Sequence, residues 1–269
     1  MSDAIKPAGG NPADLFPEVR AVGTDAPLRW LRAGYVDLRR SGWHSIFYGG
    51  CYAAAGWLMQ YVFAHAYALF AGLTTGFLLL GPFLAMGLYE ISRRLELGEN
   101  PPLAASLFAW RPRLANIGVF AAVLAIVLLV WARASMVVFA LSFDNAGLPT
   151  FADVVRALFA FEQPLFALIY FAVGGFFALF VFAIGVVSVP LMLDRNTDAV
   201  SAALASLAAC ARNPLTMLLW AACIVVLVAL GFATLFAGLI VVMPLLGHAT
   251  WRAYRDLLVP ATGDRGERT

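Results

Sequence analysis

The sequence predicts an all-α fold: a polytopic transmembrane helical bundle of six spans, accompanied by amphipathic interfacial helices. Three observations lead there. Of 269 residues, 62% are hydrophobic and 13% charged, with a mean hydropathy of +0.83, against about 45–50% apolar and about 25% charged in a typical globular chain. The apolar residues gather into stretches near the roughly 20 residues a helix needs to cross a hydrocarbon core. The basic residues fall almost entirely between alternate stretches, on one side of the implied membrane. Such a composition excludes a disordered chain, which is poor in aromatic and apolar residues. A net charge of +2 with scattered arginines gives no basic patch for nucleic acid.

Each element follows in order. Residues 1–27 are rich in proline, glycine, alanine and acid and lack an apolar core segment, so they read as a flexible cytoplasmic tail and not as a cleaved signal. From Leu28 to Arg40, arginines interleave with Trp30, Leu31, Tyr35, Val36 and Leu38, the pattern of an amphipathic helix at a membrane surface. The first span covers about residues 43–64 and acts as its own insertion signal; the second covers about 69–90. Gly72 and Gly76 give the second span the spacing that lets helix backbones approach closely in lipid. A second surface helix (Leu103–Trp110) precedes the third span at about 116–141. Ser142–Gln163 is the one sizeable external segment, with a turn over Phe143–Pro149 and a short helix opened by Thr150. The fourth span lies at about 165–193, followed by a third surface helix over Val200–Cys210. Pro214–Tyr254 is 41 mostly apolar residues, too long for one crossing, and Gly231 to Gly238 offer a break. That gives a fifth span at about 214–231 and a sixth at about 238–254, closing a six-helix domain over 28–257 with a cytoplasmic tail over 258–269.

Orientation follows from the arginines. Lys6, Arg20, Arg29, Arg32, Arg39, Arg40, Arg93, Arg94, Arg111, Arg113, Arg195, Arg212, Arg252, Arg255, Arg265 and Arg268 all fall on one side, sixteen of the eighteen basic residues. Arg156 alone lies opposite, and Arg133 lies within the third span. Positive charge is retained in the cytoplasm, so both termini are expected inside the inner membrane of a bacterium.

The chain also reads as a three-fold internal repeat of surface helix plus helical hairpin. The returning spans carry Gly81-Pro82-Phe83-Leu84, Val189-Pro190-Leu191-Met192 and Met243-Pro244-Leu245-Leu246. Asn100 and Asn196 open the second and third surface helices as polar caps.

Few polar residues are placed to carry chemistry. Glu90, Asp194 and His248 close the three returning spans, and Arg252 lies as far beyond Pro244 as Glu90 lies beyond Pro82. A true repeat brings these four to one cytoplasmic-side cluster, where a histidine beside a carboxylate serves proton transfer; pairing with Arg93, Arg94, Arg195 or Arg252 explains the carboxylates equally well. Arg133, about 25 Å into its span at 1.5 Å per residue, either snorkels to the outer interface or pairs with Glu162 or Asp144. The three histidines, His44, His65 and His248, offer only His44 with His248 as facing axial ligands, so no haem is expected. The three cysteines form no CxxC and read as small hydrophobes. No metal site or cofactor is predicted, and no HExxH, GxSxG, P-loop or dinucleotide fingerprint occurs.

The blocks Gly81–Glu96, Ser188–Arg195 and Gly247–Arg255 resemble a family of bacterial predicted integral membrane proteins, a domain of unknown function, over roughly Leu28 to Leu257. Some members carry a loose label as cytochrome c oxidase subunit I-like; six spans and three scattered histidines do not supply that subunit's haem and copper ligands. The resemblance implies a membrane bundle and carries over no functional residue. The expected function is a non-enzymatic accessory or assembly protein whose partners are the lipid bilayer and another membrane protein complex. The alternative is a small-molecule or ion transporter, with a sparse polar path from Gln60, Thr74, Thr75, Arg133, Ser135, Ser188 and Thr234. A lipid-acting membrane enzyme is a third reading, requiring a carboxylate or histidine cluster at one interface.

Overall fold

Long runs of alanine, leucine and phenylalanine with backbone polar groups satisfied internally leave the helix as the natural spanning element. The computed structural model describes residues 17–65, 67–100, 102–142, 164–195 and 197–259, and among them every named element is helical. In chain order these are α1 (Ala26–Ser41), α2 (Trp43–His65), α3 (Tyr67–Glu96), α4 (Leu103–Leu107), a single 3-10 turn (Arg111–Arg113), α5 (Leu114–Ser142), α6 (Pro164–Gly185), α7 (Ser188–Arg195), α8 (Ala199–Arg212), α9 (Pro214–Ala233) and α10 (Leu239–Leu257). Residues 1–16 and 260–269 of the expected tails 1–27 and 258–269, the external segment Phe143–Gln163, and Asn196 lie outside the described residues. The described parts of both tails are not free, since the Arg20 amide donates to the Leu257 carbonyl at 2.8 Å and the Val259 amide to the Glu18 carbonyl at 2.9 Å.

Helices stand at all six predicted spans, but among the described residues three stretches are long and apolar enough to cross a membrane: Leu103–Leu141, Pro164–Arg195 and Pro214–Ala233. Within the most apolar part of each, 17%, 50% and 22% is buried inside the protein. Such low burial in so apolar a sequence is what lipid contact requires. By contrast, α10 ends in Arg252, Arg255 and Asp256, which dilutes its hydropathy.

The packed core gathers at one end of the bundle, where the C-terminal turns of α3 and α10 and the first turns of α9 meet α1, α7 and α8. Trp30, Met86, Leu191, Met192, Trp220, Trp251, Tyr254 and Leu257 are buried there. Trp30 and Trp220 pack edge to face with centroids 5.6 Å apart, a favoured aromatic geometry.

The structure corrects the role of the first surface helix. The apolar stripe of α1 is not laid on lipid: Ala26, Trp30, Gly34, Leu38 and Ser41 are buried against α10 and, at Trp30, against α9. Gly34 permits this, since a Cβ there would lie 2.7 Å from the Ala249 amide nitrogen. The helix ends at Gly42, whose φ of 55° is readily available to glycine.

Three further details differ from expectation. The predicted continuous fourth span breaks at Val186–Val187, between α6 and α7, whereas α3 and α10 run unbroken through Pro82 and Pro244. The turn between α9 and α10 places its positive φ at Leu235 (52°) and Phe236 (67°) and not at Gly231 or Gly238. Non-glycine residues rarely adopt that region; here it is fixed by the Trp57 indole donating to the Leu235 carbonyl at 2.7 Å and by the Gly238 amide donating to the Thr234 hydroxyl at 2.7 Å.

The cap of α8 is Asp198, not Asn196: its carboxylate accepts from the Val200 and Ser201 amides at 3.0 and 2.9 Å. Asn100 does not cap α4, whose preceding residue is Pro102. The Ser201 hydroxyl and then the Ser201 and Val200 amides hold the Asp198 carboxyl below the usual carboxylate range. A lowered folded-state pKa means the cap stabilises fully above the ordinary aspartate value and is lost as pH falls through the folded one. Asp198→Ala should therefore cost about 1 kcal/mol at neutral pH, and the difference between variant and parent in thermal unfolding should vanish in acid.

Candidate functional site

The four residues singled out by the sequence all reach the packed end, where the structure divides them among three neighbouring groups. Glu90, near the end of α3, is buried and accepts from Arg93 Nε and Nη2 at 2.8 and 3.0 Å and from Arg94 Nε at 2.6 Å. One turn of helix brings both guanidinium groups back to it. Asp194, at the end of α7, receives the Tyr254 hydroxyl at 2.6 Å and Arg255 Nη1 at 3.4 Å. Arg255 also holds Glu96 through Nε and Nη2 at 3.1 and 2.9 Å, and the Trp251 indole donates to the same carboxylate at 3.1 Å.

Arg252 and His248 form the third group, together with residues the sequence reading did not single out. Arg252 grips Asp37 on α1 in a bidentate pair, Nε to Oδ2 at 2.8 Å and Nη2 to Oδ1 at 2.6 Å. Paired forks of this kind are the strong form of the ion pair. Asp37 is 1% exposed. His248 is fully buried and lies between two hydroxyls: Ser45 on α2 is 2.7 Å from Nε2, and Ser92 on α3 is 2.6 Å from Nδ1. Ser45 in turn meets Ser41 at 2.5 Å, Ser41 donates to the Leu38 carbonyl at 3.0 Å, and Ser92 stands 3.3 Å from Asp37 Oδ2. The contacts form a loop that leaves α1 at Asp37, passes through α3, α10 and α2, and returns to α1 at Leu38.

Counting hydrogens fixes the polarity of this loop. A neutral imidazole and three hydroxyls bring four hydrogens to five contacts. With the Ser41 hydrogen on the Leu38 carbonyl, Ser45 must donate to Ser41, so Nε2–H donates to Ser45. Nδ1 then accepts from Ser92, whose single hydrogen is no longer available to Asp37. The deficit falls on the longest contact, and Asp37 Oδ2 is already supplied by Arg252 Nε. The network thus assigns the Nε2–H tautomer. Both ring nitrogens are engaged, while His44 points its Nδ1 at the Ser41 carbonyl at 3.0 Å, so the two histidines do not present a pair of axial ligands. Among the described residues, no three of His, Cys, Asp and Glu gather as a metal-holding group.

Asp37 carries a legible signal. It shares the stripe of Trp30, Gly34 and Ser41 at helical spacing, so burial of that stripe demands a partner for its carboxylate. On the other side of the bundle, Arg133 is exposed on α5. Its expected partners Glu162 and Asp144 lie outside the described residues.

A second feature lies at membrane depth. Between α5 and α6, with Pro82 of α3 at its edge, a groove of about 550 Å³ is lined by Leu124, Leu128, Trp131, Phe177, Val181 and Phe182 among other apolar residues. It runs from Leu124 to Trp131 along α5, about 10 Å at 1.5 Å per residue, within two of the three stretches able to cross a membrane.

Neither a curated protein nor a solved structure matches this chain. A family model does match residues 69–194, taking in Gly81–Glu96 and nearly all of Ser188–Arg195, while Gly247–Arg255 lies beyond it. That segment, with its apolar helices and exposed apolar side chains, is similar to the family described as predicted integral membrane protein (DUF2189), a domain of unknown function.

Proposed function

We propose that this chain is a non-enzymatic accessory or assembly protein of a bacterial inner membrane, crossing it six times with both termini in the cytoplasm, and that it holds an apolar transmembrane segment of another membrane protein. The observation that carries this reading is the groove between α5 and α6. Its lining supplies van der Waals contact and, apart from the Trp131 indole N–H, no polar side-chain group to bind a solute, and helix association within lipid rests on just such packing. Its length matches about two turns of a partner helix.

The polar residues expected of a transport path support the same reading. Ser188 donates to the Ile184 carbonyl at the end of α6 and Thr234 to the Gly231 carbonyl at the end of α9, each serving a helix end, while Gln60 and Arg133 face outward. The side chains of Thr74 and Thr75 lie outside the described residues. At the packed end, Glu90, Asp194, Glu96 and Asp37 are each held by arginine, an arrangement that fixes helices in place. The same end carries Arg93, Arg94, Arg195, Arg252 and Arg255, which favours the cytoplasm.

The test is photo-cross-linking in native membranes from a benzoylphenylalanine placed at Leu128 or Ala178 in the groove, with Val226 on the exposed face of α9 as reference. A discrete protein adduct from the groove positions and none from Val226 is expected. Adducts to lipid alone at Leu128 and Ala178, or identical adducts from all three sites, would overturn the proposal.

A further inference from the structure

Burial of the α1 stripe in protein leaves the helix with a second face. Leu28, Arg29, Arg32, Tyr35, Val36, Arg39 and Arg40 are exposed and recur at helical spacing along its whole length. This face has one sign of charge: the only carboxylate within α1, Asp37, is buried on the other side with Arg252. Arg29 is matched by Asp25 and Asp256. Arg32, Arg39 and Arg40 pair with no carboxylate among the described residues, and Arg39 lies over the Tyr35 ring at 6.0 Å.

The position of α1 identifies what these three cations meet. Its N-terminal half and the segment leading into it are fastened to the first two turns of α9, one of the helices able to cross a membrane: Trp220 packs on Trp30 of α1, and Thr216 donates to the carbonyl of Val22 just before it. Helix α1 therefore stands at the membrane end of that helix, within reach of headgroups. Immediately after Gly42, Trp43, Ile46 and Phe47 are exposed at the start of α2. An aromatic residue followed by outward apolar side chains marks the passage from interface to hydrocarbon. The cationic face is thus continuous with a lipid-facing surface, and its charge complements a phosphate-bearing leaflet.

We infer that the exposed face of α1 is a binding surface for anionic phospholipid headgroups, with Arg32, Arg39 and Arg40 as the phosphate-contacting residues and Tyr35 and Trp43 at the interfacial level. Guanidinium forks suit phosphate oxygens geometrically as well as by charge, and a juxtamembrane basic cluster is attracted to an anionic leaflet. This inference stands apart from the proposed groove partner, since it concerns a different face.

The experiment uses the full-length protein in a neutral detergent, titrated with short-chain phosphatidylglycerol, with phosphatidylcholine of the same chain length, with inorganic phosphate, and with a single-stranded RNA oligonucleotide. Saturable binding of phosphatidylglycerol but not phosphatidylcholine is expected. It should weaken about a hundredfold in Arg32→Gln/Arg39→Gln/Arg40→Gln, given roughly fivefold per basic residue at an anionic surface, and should be retained in the corresponding triple lysine variant. All three side chains are exposed, so unchanged thermal unfolding of the glutamine variant certifies its fold; if it unfolds early, Arg40→Gln alone should still weaken binding several-fold. Equal binding of the two lipids, unchanged binding by the variants, competition by inorganic phosphate at equal concentration, or preference for RNA would each overturn the assignment.

Discussion

Gly49→Ala should lose roughly 3 kcal/mol of stability, seen as early thermal unfolding in detergent and low abundance in membranes, while Gly50→Ala at the next position should be neutral or slightly stabilising. A Cβ on Gly49 would fall on the Ile240 carbonyl oxygen and within 2.6 Å of its carbon and 2.8 Å of the Ile240 Cα, whereas one on Gly50 meets nothing within 4 Å. The obstructing atoms at Gly49 are backbone, so no rotamer change relieves them and α2 must move away from α10. The same movement would pull Ser45 from His248, coupling the mid-helix contact to the packed end. At Gly50, alanine gains helix propensity of about 0.5–1 kcal/mol with no steric opposition. If the two variants unfold together, α2 and α10 do not approach as described.

The helices were legible in the sequence because hydropathy is a local property. The apolar stretches at 43–64, 116–141 and 214–231 correspond to α2, α5 and α9 within a few residues at each end. What covers a helix face is not local. The apolar stripe of α1 reads identically whether lipid or protein lies against it, and only the approach of Gly34 to Ala249 decides in favour of protein. The break at Val186–Val187 follows Gly185 and precedes Pro190, which cannot donate to the Val186 carbonyl; the partner of its Val187 amide, the Ser206 hydroxyl of α8 at 3.4 Å, is a tertiary contact with no sequence signature. The turn after α9 runs against expectation for the same reason: Trp57, far away in the chain, fixes Leu235.

The candidate polar residues show a comparable division between depth and direction. Counting from Pro82, Pro190 and Pro244 places Glu90, Asp194, His248 and Arg252 at one end of the bundle, because rise per residue is constant. It does not give the azimuth at which each side chain leaves its helix. Glu90 curls to Arg93 and Arg94 of its own helix, and Asp194 meets Arg255, three residues beyond Arg252. The partners that complete the His248 loop, Ser45, Ser92 and Asp37, come from three separate helices, and small hydroxyl residues are too common in apolar helices to be singled out by type.

Arg252→Met should destabilise the protein by about 3–5 kcal/mol, because it leaves the Asp37 carboxylate buried without its countercharge. The double variant Asp37→Leu/Arg252→Met should recover most of that loss, since apolar side chains of similar volume often replace a buried ion pair at little cost. Coupling of this size is expected where both atoms of the carboxylate are gripped and one partner is 1% exposed. The double variant also frees the Ser92 hydrogen from any competition with Asp37, leaving the His248 tautomer unchanged, so a folded double variant should keep the 15N shifts of a neutral Nε2–H imidazole. Recovery of stability together with an unchanged groove cross-link would make the pair a fastening of α1 to α10 and nothing more. Recovery of stability with loss of the groove adduct would show that the charge itself is read at the α5–α6 face, and the accessory reading would then have to include the packed end as part of the binding machinery.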